Sequence, residues 1–267
     1  MNKTLNEKIR ILSLSYFLFL VLLMLSGGIG GVWSRVIYYL AFVITAAMTV
    51  LLSGKGILPE KKQRRFSYEK LRLTLPTVLP SVALVALLSL LTSFLIRLIS
   101  GRYQTVDMGD SILTAIISHA ILPSVLEEIL FRYLPLRLLA PQSKRAAVLI
   151  SAAAFALVHH SLYSIPYAFM AGLIFMTLDI ALDSIYPSLI IHFLNNLLSI
   201  IMIFGMPLPL LIALICLLAL SVGALIRNRK SYAEAICTAF TKGESYTLGT
   251  EFVLFASLSL IIAVFTL

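Results

Sequence analysis

Nine apolar runs of 18 to 29 residues divide this chain, near 11–29, 36–53, 73–99, 111–139, 146–163, 165–183, 186–204, 207–226 and 250–267. About 20 mostly apolar residues cross the hydrocarbon core of a bilayer as one helix. The expected fold is therefore all-α, a polytopic transmembrane bundle of eight to nine spans. Composition points the same way. Of 267 residues, 60% are hydrophobic and 12% charged, about half the charged fraction of an ordinary soluble domain. The clusters "SGGIGG", "PEKK" and "GMPLP" mark connections between runs. The basic N-terminus followed by an apolar stretch resembles a signal peptide, but no A-x-A-like site follows, so it reads as an uncleaved first span. Cys216 and Cys237 belong to no Cys-x-x-Cys or Cys/His motif and read as buried or idle thiols.

The net charge of +9 does not point to nucleic acid, because the basic residues sit in short loops and form no face. Seventeen of the 21 Lys and Arg fall on one side of the predicted spans: Lys3 to Arg10, Lys55 to Arg72, Arg137 to Arg145, and Arg227 to Lys242. Three (Arg35, Arg97 and Arg102) fall on the other, and Arg132 lies within a span. Basic residues accumulate in cytoplasmic loops, so the N-terminus is expected in the cytoplasm and, with nine spans, the C-terminus outside. In 227–249, Tyr232, Ile236 and Phe240 recur four apart. That spacing predicts an interfacial amphipathic helix, with a plain loop as the alternative. Three segments follow: N-terminal spans with a basic loop over 1–104, a core over 105–205, and C-terminal spans over 206–267.

The core carries ionisable groups inside apolar runs. "VLEEILFRYLP" (125–135) holds Glu127, Glu128 and Arg132. A charge at the centre of a spanning helix costs roughly 2.5–3.5 kcal/mol on insertion scales, so such groups face a protein interior or water. Glu128 and Arg132 are four apart and pair on one helix face. Glu127 is turned about 100° away and needs another purpose. The next run offers Phe155 and His159, four apart, with His160 beside the latter; the seventh offers His192 and Asn196, also four apart. At about 1.5 Å per residue, Glu127, His159 and Asn196 lie roughly 15 to 21 Å from the cytoplasmic ends of their helices. Carboxylate, imidazole and amide at one level suit hydrolysis, which needs a base for water and donors for an oxyanion. Asn196 serves as such a donor, and His192 can share the role. Pro123 is expected to kink the helix before Glu127. His119 is expected to pack or hydrogen-bond, and Asp179 and Asp183 to be satisfied by water or Arg137.

These residues resemble the CAAX-protease and bacteriocin-processing (CPBP) family, membrane proteases related to the Ras-converting enzyme. The family pattern E-E-x-x-x-R, F-x-x-x-H and H-x-x-x-N is matched by Glu127-Glu128 with Arg132, Phe155 with His159, and His192 with Asn196. The order agrees, and the resemblance covers roughly residues 111–205. It implies that Glu127 and His159 activate water, that His192 and Asn196 form the oxyanion hole, and that Glu128 and Arg132 hold the site. It also implies a multi-pass protein of a bacterial cell membrane, acting on a peptide or lipid-anchored protein substrate among membrane lipids. No residue pattern reads a prenyl group.

No cofactor is expected. A zinc site of Glu127, His159 and His192 is the alternative, but no H-E-x-x-H helix is present. A catalytically idle scaffold or bacteriocin self-immunity protein is the competing function. A transporter would spread its polar groups over several depths, which this chain does not.

Overall fold

The computed structural model describes residues 3–29, 31–54, 68–100, 111–205 and 208–265. The basic loop from Lys55 to Arg65 and the connection containing Arg102 lie outside them. Among the described residues all regular structure is helical. The helices are α1 (Leu5–Ile29), α2 (Gly31–Ser53), α3 (Tyr68–Ser100), α4 (Ile112–Leu138), α5 (Lys144–Leu157), α6 (Ser164–Leu182), α7 (Tyr186–Phe204), α8 (Leu208–Arg227), α9 (Arg229–Ala239) and α10 (Thr250–Phe265). Every predicted span corresponds to a helix. Five stretches are long and apolar enough to cross a membrane by length and composition: Leu5–Gly27, Trp33–Ser53, Ile112–Leu138, Ser164–Leu182 and Tyr186–Phe204. The fifth predicted run is shorter than expected. Helix α5 has 14 residues, about 21 Å at 1.5 Å per residue, and the chain leaves it before the histidines. The segment 227–249 is helical over α9, as its spacing predicted. Its Tyr232 hydrogen-bonds Ser81 of α3, whereas Ile236 is exposed.

The chain forms two compact units, one of Met1–Gln63, Leu126–Met176 and Ala239–Leu267, the other of Arg64–Val125 and Thr177–Thr238. In the first, α1 packs against α2 and α10, while α5 packs against α10 and the C-terminal part of α4. Tyr16, Phe19, Phe131 and Phe255 are fully buried at the centre, with Tyr16 stacked on Phe131 at 5.4 Å between ring centroids. Val36, Leu40, Val43 and Leu51 stand exposed on α2. Such a face is stable only where the surroundings are as apolar as leucine, which lipid tails are. Helices α5 and α6 approach closely through small residues: a Cβ on Gly172 would lie 2.8 Å from the Ala152 Cα.

One end of the first unit is tied by polar contacts. Lys3 donates to the Leu52 carbonyl at the end of α2, and Gln142 donates to the Lys3 carbonyl at 3.4 Å. The Thr247 amide donates to Asn6 at 3.2 Å, and Arg10 pairs with Glu251 at 2.6 Å. The start of α1, the end of α2, the α4–α5 connection and the α9–α10 connection therefore share one end. They are, or adjoin, the stretches that the basic residues assigned to a single side.

In the second unit, α3 packs against α7 and α8. Phe193 and Leu197 of α7 pack against Ala115, Ala120 and Ile200.

Helix α4 contains two π segments, Ile116–Ile121 and Ile129–Tyr133. Pro123 and Pro135 each follow one by two residues. Proline lacks an N–H, and its ring collides with the carbonyl four residues back, which belongs to His119 for Pro123 and to Phe131 for Pro135. Both carbonyls lie within a π segment, where the wider turn displaces them. The helix thus runs on through both prolines.

Candidate active site

The first unit gathers the E-E-x-x-x-R and F-x-x-x-H residues. Glu128 and Arg132 are both fully buried, with Arg132 Nε 3.6 Å from Glu128 Oε2. The local spacing foretold this pair, but it is only part of what holds the arginine. Pro135 cannot donate to the Phe131 carbonyl, which instead accepts from Arg132 Nη1 at 3.2 Å and from the Ser151 hydroxyl. Arg132 Nη1 also lies 3.3 Å from Ser151 Oγ. The guanidinium carbon stands 4.4 Å from the centroid of the Phe155 ring and 5.3 Å from that of Phe175. A buried cation needs a paired charge and hydrogen bonds; the carboxylate at 3.6 Å, the bonds of Nη1 and two ring faces supply part of this, while Nε and Nη2 make no hydrogen bond among the described residues.

Phe155 is the hinge of the cluster. One ring contact is Arg132; another is the His159 imidazole, edge-on at 4.8 Å between centroids. His159 itself is not on a helical face, as its spacing had suggested. Helix α5 ends at Leu157, and the His159 amide donates to the Ala156 carbonyl in the closing turn. The side chain keeps the four-residue relation in another way, with Nδ1 2.7 Å from the Phe155 carbonyl. A carbonyl can only accept, so Nδ1 carries the hydrogen and Nε2 of the neutral ring keeps its lone pair. The following His160 turns the chain with a positive φ of 47°.

Glu127 is turned away from the ion pair, as expected. It is 9% exposed, and its side chain hydrogen-bonds the Tyr38 hydroxyl of α2. No sequence signal marked Tyr38, one of 11 tyrosines, or Ser151, a lone hydroxyl in an alanine-rich stretch.

The second unit carries the H-x-x-x-N residues on α7. His192 and Asn195 are buried there, and Asn196 is half-buried. Positions three and four after a residue both flank its helical face, and the spacing alone did not identify Asn195 as the more buried of the two. His119 is half-buried in the first π segment.

Asp179 is closed off from water, which was one expected partner. It is fully buried, and its Oδ1 accepts from the Ser188 amide at 3.1 Å. Ile185 occupies the N-cap of α7 and offers no capping side chain, while Pro187 follows in the first turn. A helix start leaves amide donors unsatisfied, and the carboxylate from α6 takes one of them. Asp179→Ala should therefore lower stability by about 1 kcal/mol, within the range for losing a cap, and Asp179→Asn should recover most of it. Thermal unfolding in detergent checks both; equal midpoints for Asp179→Ala and the parent would refute the cap.

In neither unit do three His, Cys, Asp or Glu side chains among the described residues gather at a spacing that would hold a metal ion.

Residues 109–198 match the family model described as type II CAAX prenyl endopeptidase Rce1-like. No curated protein and no solved structure gives a match. The matched segment contains all three motifs, and over these residues, about a third of the chain, the protein is similar to the CAAX-type membrane proteases.

Proposed function

We propose that this protein is an intramembrane endopeptidase that hydrolyses a peptide bond in a peptide or membrane-associated chain. The observation that carries the reading is His159: its Nδ1 is committed to the Phe155 carbonyl, so the ring is fixed with Nε2 as an acceptor. Glu127 takes one proton from water, and His159 Nε2 accepts the other hydrogen and aims the oxygen. A C–O bond forms at the substrate carbonyl, and the developing oxyanion accepts from His192 and Asn196. Collapse breaks the C–N bond, and Glu127 returns its proton to the departing amine. The ion pair of Glu128 and Arg132 stays intact throughout and holds the backbone that carries Glu127. No step is assigned to a metal.

Purified protein reconstituted in liposomes, offered prenylated and unprenylated peptides, tests the reading. Cleavage by the parent and none by Glu127→Gln is expected. Failure to cleave any of them, with an unchanged membrane peptidome in cells lacking the protein, would favour the idle scaffold.

His192→Ala and Asn196→Ala should each slow turnover by about 10²–10³, the range for removing one oxyanion donor. KM should scarcely change, because these donors act on charge that develops in the transition state. A zinc mechanism makes a different forecast. Stoichiometric zinc by elemental analysis, lost in His192→Ala and removable by a chelator with loss of activity, would replace the oxyanion role. An amide is a poor zinc ligand, so Asn196→Ala separates the two schemes most sharply.

A further inference from the structure

Tyr38 lies on α2, outside the segment 109–198 that matches the family, yet its hydroxyl hydrogen-bonds the Glu127 side chain. An ionised carboxylate only accepts, so the tyrosine O–H is the donor. Its ring is held in turn. It meets Tyr39 and Phe42 edge-on, each at 5.3 Å between centroids. Phe42 packs on Phe19 at 4.5 Å, Phe19 on Phe131 at 6.0 Å, and Phe131 on Phe155 at 5.9 Å. Phe155 supplies the carbonyl that anchors His159. One train of rings, buried from Phe42 onward, therefore connects the side chain that holds Glu127 to the one that holds His159.

A glutamate alone on a helix has several rotamers, and a base that swings between them spends little time aligned with its water. We propose that Tyr38 is a positioning residue for Glu127. Its O–H holds one carboxylate oxygen and leaves the other to face the attacking water. On this assignment α2 supplies part of the machinery that the matched segment lacks, and the N-terminal helices are more than lipid-facing filler. The inference rests on the reading of Glu127 as the base.

Tyr38→Phe keeps the ring and its packing and removes only the donor. The expected result is a kcat lower by about ten- to a hundredfold, the cost of a small misplacement of a catalytic group, with KM, folded yield and Tm unchanged. Wild-type kcat in Tyr38→Phe would overturn the assignment. So would a fall in kcat matched by a fall in Tm or folded yield, which would make Tyr38 a packing residue. A direct readout accompanies the kinetics: the infrared carboxylate band that disappears in Glu127→Gln should shift in Tyr38→Phe, and an unmoved band would also overturn it. Glu127→Gln is assayed alongside. If that variant is active, the base reading fails and this inference with it; if it is inactive while Tyr38→Phe is fully active, only the positioning role fails.

Discussion

Glu127→Gln is expected to abolish proteolysis, lowering turnover by at least about 10³, within the range attributed to a general base. The substitution is close to isosteric. The amide oxygen can still accept from Tyr38, which holds the present carboxylate, so packing on α2 survives. What disappears is the capacity to take a proton from water and return it to the amine. Folded yield and membrane insertion should therefore match the parent, and the loss should appear in kcat. Fully active, reconstituted Glu127→Gln protein would remove Glu127 from the mechanism. His159→Ala should be nearly as damaging, because it removes Nε2 together with the ring that packs against Phe155 at 4.8 Å.

Glu128→Ala should act on folding first. Glu128 and Arg132 are both wholly buried, and removing one partner strands the other's charge. Breaking a buried pair in this way costs about 3–5 kcal/mol, a large share of the roughly 5–15 kcal/mol that stabilises a typical domain. Little monodisperse protein should survive purification, and the survivors should unfold at a lower temperature. Arg132→Ala should be comparably harmful, because it also empties the space against Phe155 and removes a donor to the Phe131 carbonyl. Removing both charges tests the cause. Glu128→Leu with Arg132→Met leaves no stranded ion and should recover folded protein relative to either single alanine. Normal abundance of Glu128→Ala, together with full activity of Arg132→Ala, would refute the ion-pair role.

The two variants separate the adjacent glutamates by consequence, one through chemistry and one through folding. Sequence spacing made that division available, because an i,i+4 pair on a helix is a local relation. The tertiary structure adds that the pair does not hold Arg132 alone. Ser151 comes from α5, 19 residues away, and Phe175 from α6.

What the residues determined by themselves is whatever depends on neighbours along the chain. The helices follow from the length of the apolar runs, since about 20 apolar residues satisfy both lipid and backbone as a helix. Which helix ends of the first unit lie together followed from counting basic residues, and the contacts of Lys3, Asn6 and Gln142 agree. Glu128 with Arg132 followed from the turn of one helix. Only the tertiary structure decided the rest, because it depends on groups distant in sequence. A four-residue spacing implied that Phe155 and His159 shared a helix. The chain instead leaves α5 at Leu157, and a side chain-to-carbonyl bond keeps the relation that the helix does not. Asp179 found its partner at Ser188 across a connection, since Ile185 cannot cap the helix it precedes. Pro123 implied a kink in α4, and the structure adds a π segment ahead of each of its two prolines, which no residue pattern announces. Tyr38 reached Glu127 across 89 positions of sequence, and no local rule relates residues so far apart.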